Sequence, residues 1–516
     1  MGKKGKDRKK GKGAEKTHAK TEKKLSNRLK KELKNLGEDD IENIVAQIEK
    51  EEKQRLQVTE IQLEQPPSRR LNFSFLSHPV KDQLILYGGE YFNGQKTFIY
   101  GDLFFFNIQN NTWMLVKAPA GPPPRCGHQM VATSANKGEL WLFGGEYASP
   151  TQSQFYHYRD LWVYHIANKQ WEKIASVDGP SARSGHRMVL VKKQIFVFGG
   201  FHDNLKDYKY FNDVYTFNLE TYKWKKLEPV GTPPAPRSGC CMVSLLDGKI
   251  LIYGGYSKEK IKKDVDAGKV YTDAFLLGLD KHDPTQTKYK WQQIKIGGQS
   301  FSPRCSMPVV SSVNNLSAYC YGGVFDIEED EENISGNFFN DFYMLDLEKL
   351  VWHSVVLNRK SIKENKPRRK LNKNEEDIDD ENVSEVEETM KSTTISDDGV
   401  FKVTIGPSTA SKDNAEKDTV EKIHNLFQPS SRMNCGLAIN HGVLYLYGGM
   451  FEDGDKQYTF NDLYSIDLKK LDEWKTIIND DSTKMEWLGS DSESDNSESE
   501  ESEEDNSDSE SDMDTT

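Results

Sequence analysis

Residues with metal-ligating side chains recur at one position of the sequence, three residues after an arginine. They are His128, His186, Cys240, Met307 and Cys435, with Phe73 at the same place in the first copy. Imidazole and thiolate groups bind zinc or copper when they lie about 2.0–2.3 Å from one ion. Because these positions are equivalent parts of a repeat, they meet at one ion only if all of them reach a common axis. Packing at the start of a strand is therefore the favoured interpretation, and we predict no metal site and no cofactor.

Glycine pairs raise a second possibility, a phosphate-binding loop. The first pair, Gly88 and Gly89, follows the apolar run "LILY" and precedes Glu90 and the strand-like "DLFFFNI". A phosphate loop needs a helix N-terminus after the glycines, and in the P-loop form also a Gly-Lys-Ser/Thr ending. Neither follows Gly89. The sequence instead favours a role in the backbone, because glycine allows a positive φ where a chain turns sharply.

The glycine pair is part of a repeat that covers most of the chain. It occurs six times, with steps of 56, 55, 55, 68 and 126 residues, at Gly88-Gly89, Gly144-Gly145, Gly199-Gly200, Gly254-Gly255, Gly322-Gly323 and Gly448-Gly449. The longest step contains an inserted segment, and removing about 70 residues returns it to the common period.

Three other markers accompany the glycines. An arginine precedes each unit at Arg70, Arg125, Arg183, Arg237, Arg304 and Arg432. An aspartate follows each glycine pair at Asp102, Asp160, Asp213, Asp273, Asp341 and Asp462, and an aromatic residue stands two positions before it. A tryptophan ends each unit at Trp113, Trp171, Trp224, Trp291, Trp352 and Trp474. Each unit is predicted to form four short strands, with the tryptophan packed between units.

This four-part pattern resembles the kelch-repeat family of β-propellers over residues 68–478, apart from the insertion. The resemblance implies an all-β fold, a six-bladed propeller. The chain is also similar to the subfamily called kelch-domain-containing protein 4, in its start "MGKKGKDRKKGKGAEKTHAKTEKK", in "GGEYFNGQKTF", "QFYHYRDLWV", "RSGHRMV" and "GGYSKEKIKKDVD", and in "HGVLYLYGGMFEDGD". That similarity implies the fold and the domain layout.

The charge distribution separates three appendages from the propeller. The predicted layout is a Lys-rich, partly helical extension (1–56), blades one to five (57–357), a charged disordered insertion (358–428), blade six (429–478) and an acidic disordered tail (479–516). The apolar residues Ile41, Ile44, Val45 and Ile48 follow a helical period, which leaves open a solvated helix, a helix that binds a partner or a lid on the propeller. The segment "VTEIQLE" (58–64) predicts a strand that pairs where the ring closes.

Several classes of protein are disfavoured. Six scattered cysteines and the absence of an apolar leader predict a cytoplasmic or nuclear protein that is neither secreted nor membrane-spanning. Copper radical oxidases share the kelch propeller, but no cysteine here is placed to cross-link a tyrosine, and we predict no catalytic residues. A ubiquitin-ligase substrate receptor is the alternative, although no BTB domain fits before the repeats. The terminal lysines allow only weak electrostatic contact with RNA.

The remaining evidence for function lies in the loops after the glycine pairs. Aromatic residues that the repeat does not require are candidates for partner binding, and they are Phe92, Phe155, Tyr156, His157 and Tyr208. Aromatic residues of this kind are enriched in interaction hot spots. The sequence therefore predicts a monomeric, non-catalytic scaffold for protein partners, with tail serines in an acidic context that favours phosphorylation.

Overall fold

A computed structural model of the protein describes residues 39–54, 57–204, 207–262, 265–285, 287–328, 334–357, 427–481, 485 and 487–489. The lysine run, the insertion from residue 358 to 426 and the acidic tail from residue 490 lie outside the described residues. The predicted fold class is confirmed, since the repeat units form six sheets that close into a propeller. The pairing of the described strands is antiparallel except for one short parallel pair, Gly297–Gly298 beside Val351–Trp352.

The first half of the chain forms a helix, an edge strand and three blades. The helix is α1 (Ile41–Gln54) and the edge strand is β1 (Thr59–Leu63). Blade 1 contains β2 (Ser74–Ser77), β3 (Gln83–Tyr87), β4 (Glu90–Phe92), β5 (Thr97–Ile99), β6 (Leu103–Asn107) and β7 (Thr112–Lys117). Blade 2 contains β8 (Gln129–Thr133), a 3₁₀ turn (Ala135–Lys137), β9 (Glu139–Phe143), β10 (Glu146–Ala148), β11 (Phe155–His157), β12 (Leu161–His165) and β13 (Gln170–Ile174). Blade 3 contains β14 (Arg187–Val191), β15 (Gln194–Phe198), β16 (Phe201–Asp203), β17 (Tyr208–Tyr210), β18 (Val214–Asn218) and β19 (Lys223–Leu227).

The second half of the chain forms the other three blades. Blade 4 contains β20 (Cys241–Ser244), β21 (Ile250–Lys262), β22 (Val265–Leu279) and β23 (Tyr289–Ile294). Blade 5 contains β24 (Gly297–Gly298), β25 (Val309–Ser311), β26 (Ser317–Tyr321), β27 (Val324–Glu328), β28 (Ile334–Phe338), β29 (Phe342–Asp346) and β30 (Val351–Ser354). Blade 6 contains β31 (Gly436–Asn440), β32 (Val443–Asp453), β33 (Lys456–Asp467) and β34 (Lys475–Ile478).

The innermost strands fix the order of the blades. Each one contacts the innermost strands of both neighbouring blades, in the cyclic order β2, β8, β14, β20, β25 and β31. Six apolar clusters lie between the blades, one for each adjacent pair. Strands such as β9 are buried at every position because a neighbouring blade covers each face of the sheet. This explains why the second strands read as continuous apolar runs rather than alternating ones.

The six tryptophans lie in these clusters. Each packs on the aromatic residue that precedes the glycine pair of the preceding blade, with ring centroids 5.3–5.8 Å apart: Trp113 on Tyr447, Trp171 on Tyr87, Trp224 on Phe143, Trp291 on Phe198, Trp352 on Tyr253 and Trp474 on Tyr321. Trp171 differs from the other five because it is only partly buried.

The ring closes between blade 6 and blade 1 through side-chain packing. Blade 1 takes its strands from residues 59–117 and blade 6 from residues 436–478, so each blade is one continuous stretch of chain. The expectation that residues 58–64 pair at the closure is wrong. Strand β1 instead adds a fifth strand to the outer edge of blade 1, with Thr59 opposite Lys117 and Leu63 opposite Trp113. The edge of β7 offered unpaired backbone groups there, which β1 satisfies.

The start of the predicted tail contacts the propeller. Asp480 forms an ion pair with Arg69 at 2.5 Å, at the junction of blades 6 and 1. The Arg69 guanidinium also donates to the carbonyl oxygens of Thr459 and Asp481 at 2.9 Å. Further along the chain, Trp487 and Leu488 contact blade 1. The predicted domain boundary at residue 479 stays a prediction.

Candidate interaction face

A β-hairpin connects the second and third strands of every blade, and we call the surface made by the six hairpins the hairpin face. Four hairpins are separate ribbons, namely β4–β5, β10–β11, β16–β17 and β27–β28. In blades 4 and 6 the hairpin is the far half of the long pairs β21–β22 and β32–β33. Because the connections are equivalent in each blade, all six hairpins stand at the same end of the ring.

The glycine pairs set the direction in which each hairpin leaves its blade. In blade 2, Gly144 and Gly145 have φ values of +65° and +92°, which side chains with a Cβ rarely adopt. The N–H of Gly145 donates to the carbonyl oxygen of Arg183 in the next blade at 2.9 Å. A Cβ on Gly145 would lie 2.7 Å from the carbonyl oxygen of Cys126. The pair thus joins neighbouring blades, and its amide is already engaged within the protein.

A buried arginine lies beneath each hairpin. Its guanidinium donates to the carbonyl oxygen of the first glycine of the pair at 2.9–3.2 Å in all six blades. It also stacks on the aromatic residue two positions before the aspartate, with 3.6–4.3 Å from the guanidinium carbon to the ring centroid. In blades 2 to 6 it pairs with the aspartate at 2.5–2.9 Å. We call these contacts the arginine lattice, and they give every hairpin the same rigid base.

The repeat-equivalent histidines lie between blades. A Cβ on Gly88 would be 2.7 Å from Cε1 of His128, and a Cβ on Gly144 would be 2.8 Å from Cε1 of His186. Burial lowers the pKa of His128 to about 3 and that of His186 well below its usual value. Among the described residues, no group of three or more His, Cys, Asp or Glu side chains is placed to hold a metal ion.

Phe92, the candidate on blade 1, is covered by a distant part of the chain. The indole of Trp487 packs edge-on against its ring with centroids 5.9 Å apart. The N–H of Leu488 donates to the carbonyl oxygen of Asn93 at 2.8 Å. Sequence reasoning missed this contact because nothing in the repeat marks residues 487–489 as a partner of blade 1.

Tyr156, on blade 2, lies beneath helix α1. The buried Ile41 and Val45 of the helix pack with Tyr158, and Tyr156 packs against the same cluster. The side chain of Gln154 holds the start of the helix, because its Oε1 accepts from the N–H of Ile41 at 3.0 Å and its Nε2 donates to the carbonyl oxygen of Asp39. Of the three roles left open for this helix, the packing of Ile41 and Val45 on blade 2 agrees with the lid.

His157 is buried and is not a surface contact, which corrects the prediction for this residue. Its Nδ1 lies 2.7 Å from Oγ of Ser184, and its Nε2 accepts from the N–H of Asp203 at 3.0 Å. Since Nε2 is an acceptor, the neutral ring carries its proton on Nδ1 and donates to Ser184. Ser184 in turn donates to Glu146 at 3.1 Å. The trio resembles a nucleophile triad in composition, but Nδ1 holds a proton and does not accept the one on Ser184.

The role of His157 is to join two hairpins. The histidine belongs to β11 of blade 2 and Asp203 belongs to β16 of blade 3, so their hydrogen bond fixes the two ribbons relative to each other. Burial and the neighbouring His202 lower the pKa of His157 to about 4, which keeps the ring neutral at pH 7. Phe155 lies on the same side of β11 as His157, because side chains alternate along a strand.

Phe155 and Tyr208 remain as the accessible candidates. Both are partly exposed, and they lie on the neighbouring ribbons that His157 joins. The hydroxyl of Tyr208 donates to Asp266 of blade 4 at 2.8 Å, which holds the phenol over the gap between blades 3 and 4. Two apolar side chains that sequence reasoning did not single out are also exposed on this face, Phe98 at 44% and Ile327 at 42%.

A central channel of about 650 Å³ opens near these ribbons. Its charged lining residues are Glu146 at the hairpin end and Arg187 on β14. Burial, together with the charge of Glu90, raises the pKa of Glu146 to about 8. The sequence signal for this channel was the acidic residue directly after the glycine pair in blades 1 and 2, where the other blades carry aromatic or apolar residues.

Comparison with known proteins agrees with this architecture. Residues 70–284 match the family described as "FBX42, beta-propeller domain". Host cell factor of Drosophila melanogaster is 27% identical over 258 residues, which is 48% of this chain and 15% of that protein. Kelch domain-containing protein 10 of Xenopus tropicalis is 28% identical over 195 residues, which is 36% of this chain and 41% of that protein.

Two further matches complete the comparison. Tip elongation aberrant protein 1 of Schizosaccharomyces pombe is 31% identical over 240 residues, which is 46% of this chain and 18% of that protein. The solved structure of YjhT covers 80% of this chain and 99% of its own, with 13% identity and a TM-score of 0.48. The chain therefore aligns with less than half the length of each curated relative named here. The closer similarity to the kelch-domain-containing protein 4 subfamily stays a prediction. The chain is thus similar in sequence to kelch and β-propeller proteins, and its own structure is a six-bladed ring.

Proposed function

We propose that the protein is a non-catalytic scaffold that binds a protein partner through the hairpin face. The observation that carries the proposal is the pair of accessible aromatic side chains, Phe155 and Tyr208, on two ribbons held together by His157. Neither side chain takes part in the arginine lattice. Rigid aromatic anchors on a preorganised surface are what hot spots of protein interfaces use.

Two other findings support the proposal. The described cysteines are free and buried, which agrees with a reducing compartment and therefore with the cytoplasm or nucleus. No α-helix within the described ranges has the length and apolar content to cross a membrane. The proposal also includes membership of the kelch-domain-containing protein 4 subfamily, the predicted domain boundaries and the existence of a protein partner.

The experiment is quantitative affinity purification with the full chain and three variants. Phe155→Ala and Tyr208→Ala should each weaken capture of the partner by about tenfold or more, because truncating a hot-spot aromatic commonly costs about 2 kcal/mol. The matched control is Leu246→Ala, whose side chain is 69% exposed in the β20–β21 loop at the opposite end of the ring. Loss of partners with Leu246→Ala, and full retention with the two hairpin variants, would place the binding surface on the other face.

A further inference from the structure

Residues 487–489 contact the hairpin of blade 1, and we call this segment the strap. Trp487 packs edge-on against Phe92, with an angle of 85° between the rings. The N–H of Leu488 donates to the carbonyl oxygen of Asn93 at 2.8 Å, and Nε2 of Gln95 donates to the carbonyl oxygen of Leu488 at 3.0 Å. The hairpin of blade 1 thus contacts an aromatic side chain and both backbone polar groups, N–H and C=O, of the residue that follows it.

The strap is tethered close to where it binds. Arg69 holds Asp480 and Asp481 at the junction of blades 6 and 1, only a few residues before Met485. A short tether of this kind gives an effective concentration on the order of millimolar. A segment with weak intrinsic affinity is therefore bound most of the time, while a free ligand of micromolar affinity would displace it at micromolar concentration.

The contact is small for a part of the fold. Among the described residues it comprises one ring pair and two hydrogen bonds, while Leu488 remains 41% exposed. Helix α1 on blade 2 differs, because its buried residues join Tyr158, whose ring stacks on Arg125 of the arginine lattice. The strap contacts Phe92, Asn93 and Gln95, which lie outside that lattice.

We infer that the strap is a displaceable internal ligand, and that the hairpin of blade 1 is a docking site for a partner segment of the same chemistry. That segment is an extended peptide with an aromatic residue followed by an aliphatic one. The inference rests on the proposed function in that both place the partner on the hairpin face. It extends the proposal by naming a second site, its ligand class and the segment that controls access to it.

A labelled peptide of residues 483–490, added to full-length protein, tests the inference by fluorescence anisotropy. Wild-type protein should bind the peptide weakly, because its own strap occupies the site. Full-length Trp487→Ala should bind it at least tenfold more tightly, because the strap then lacks its indole. A peptide that itself carries Trp487→Ala should bind neither protein.

A second variant blocks the site itself. A Cβ on Gly94 would clash with the backbone nitrogen of Gly489, whether that residue belongs to the strap or to the peptide. Gly94→Ala, introduced into the Trp487→Ala protein, should therefore weaken peptide binding at least tenfold. Gly454→Ala is the matched control, since it also has a positive φ at a hairpin tip, and a Cβ there meets nothing within 4 Å. In the Trp487→Ala protein it should leave peptide affinity unchanged.

The outcomes separate the inference from the proposed function. Equal peptide affinity in the wild type and Trp487→Ala would overturn the inference and make the strap a fixed part of the fold. Peptide binding to the Trp487→Ala protein that Gly94→Ala leaves unchanged would overturn it as well, because the peptide would then bind elsewhere. Tight binding that survives Phe92→Ala in the Trp487→Ala protein would also overturn it, because Phe92 is the ring under the indole. Peptide binding as expected, with partner capture unaffected by Phe155→Ala and Tyr208→Ala, would leave the docking site intact and reject the proposed function alone.

Discussion

The arginine lattice and the hairpin face lie a few residues apart in every blade, yet they follow opposite rules. In the lattice, each arginine meets the same glycine carbonyl and the same stacked ring in all six blades. On the face, blade 1 is covered by the strap, blade 2 by helix α1, and blade 3 is joined to blade 2 by His157. A residue that departs from the repeat therefore either contacts another part of the chain or remains exposed on the surface. Only the tertiary structure shows which of the two applies.

The largest expected effect is in the lattice itself. Arg432 and its partner Asp462 are both buried, so Arg432→Met leaves an unpaired buried carboxylate and should destabilise the protein by about 3–5 kcal/mol. Arg70→Met is the matched variant, because no hydrogen bond joins the described residues Arg70 and Asp102, and it should cost about 1–3 kcal/mol. Denaturant unfolding measures both. Equal losses would mean that the ion pair adds nothing beyond the stacked ring and the glycine carbonyl.

Between the blades, the tryptophans give a graded comparison. Trp113 is 3% exposed. Trp113→Ala should lower the free energy of unfolding by about 3–5 kcal/mol, the usual range for the loss of a buried aromatic residue. Trp171 packs on Tyr87 in the equivalent place but is only partly buried, so Trp171→Ala should cost about 2 kcal/mol. Phe155→Ala on the hairpin face should change the unfolding free energy by less than about 1 kcal/mol. If Phe155→Ala proved as costly as Trp113→Ala, the face would not be separate from the folding core.

A smaller effect than the loss of a fully buried tryptophan depends on pH, and it concerns the position that first suggested a metal site. Burial lowers the pKa of His128 to about 3, so the folded protein holds the neutral ring. Its contribution to stability is full above the unfolded pKa of about 6.5 and is lost as the pH falls towards 3, by about 1.4 kcal/mol per pH unit. The free energy of unfolding should fall between pH 7 and pH 5, and His128→Phe should make that fall smaller by about 2 kcal/mol. This substitution introduces the residue type found at the equivalent position, Phe73. An unchanged difference between unfolding at these two pH values would show that His128 is not the titrating group.

Much of the fold was predictable because each signal acts locally and is repeated. The glycine pairs, the arginines, the aromatic residues before the aspartates and the tryptophans mark one strand each. The predicted aromatic candidates for the site divided once the fold was known, with Phe92 and Tyr156 covered, His157 buried, and Phe155 and Tyr208 accessible. Selecting the aromatic residues that the repeat does not require identified residues with a special role. It could not distinguish residues that contact another part of the chain from residues that are free to contact a partner protein.

The sequence by itself determined the six blades, because positive φ at a glycine pair and the contacts of an arginine within its own blade involve residues fewer than forty positions apart. The tertiary structure decided which parts of the hairpin face remain free. Gln95 meets Leu488 across 393 residues and Ile41 meets Gln154 across 113, and such pairs have no common period that a sequence could display. Strand β1 follows the same rule, since its alternating pattern predicts a strand, whereas the open edge of β7 decides where that strand pairs. Local geometry is written into each repeat, while the choice between contacting the chain itself and contacting a partner depends on which surfaces the closed ring brings together.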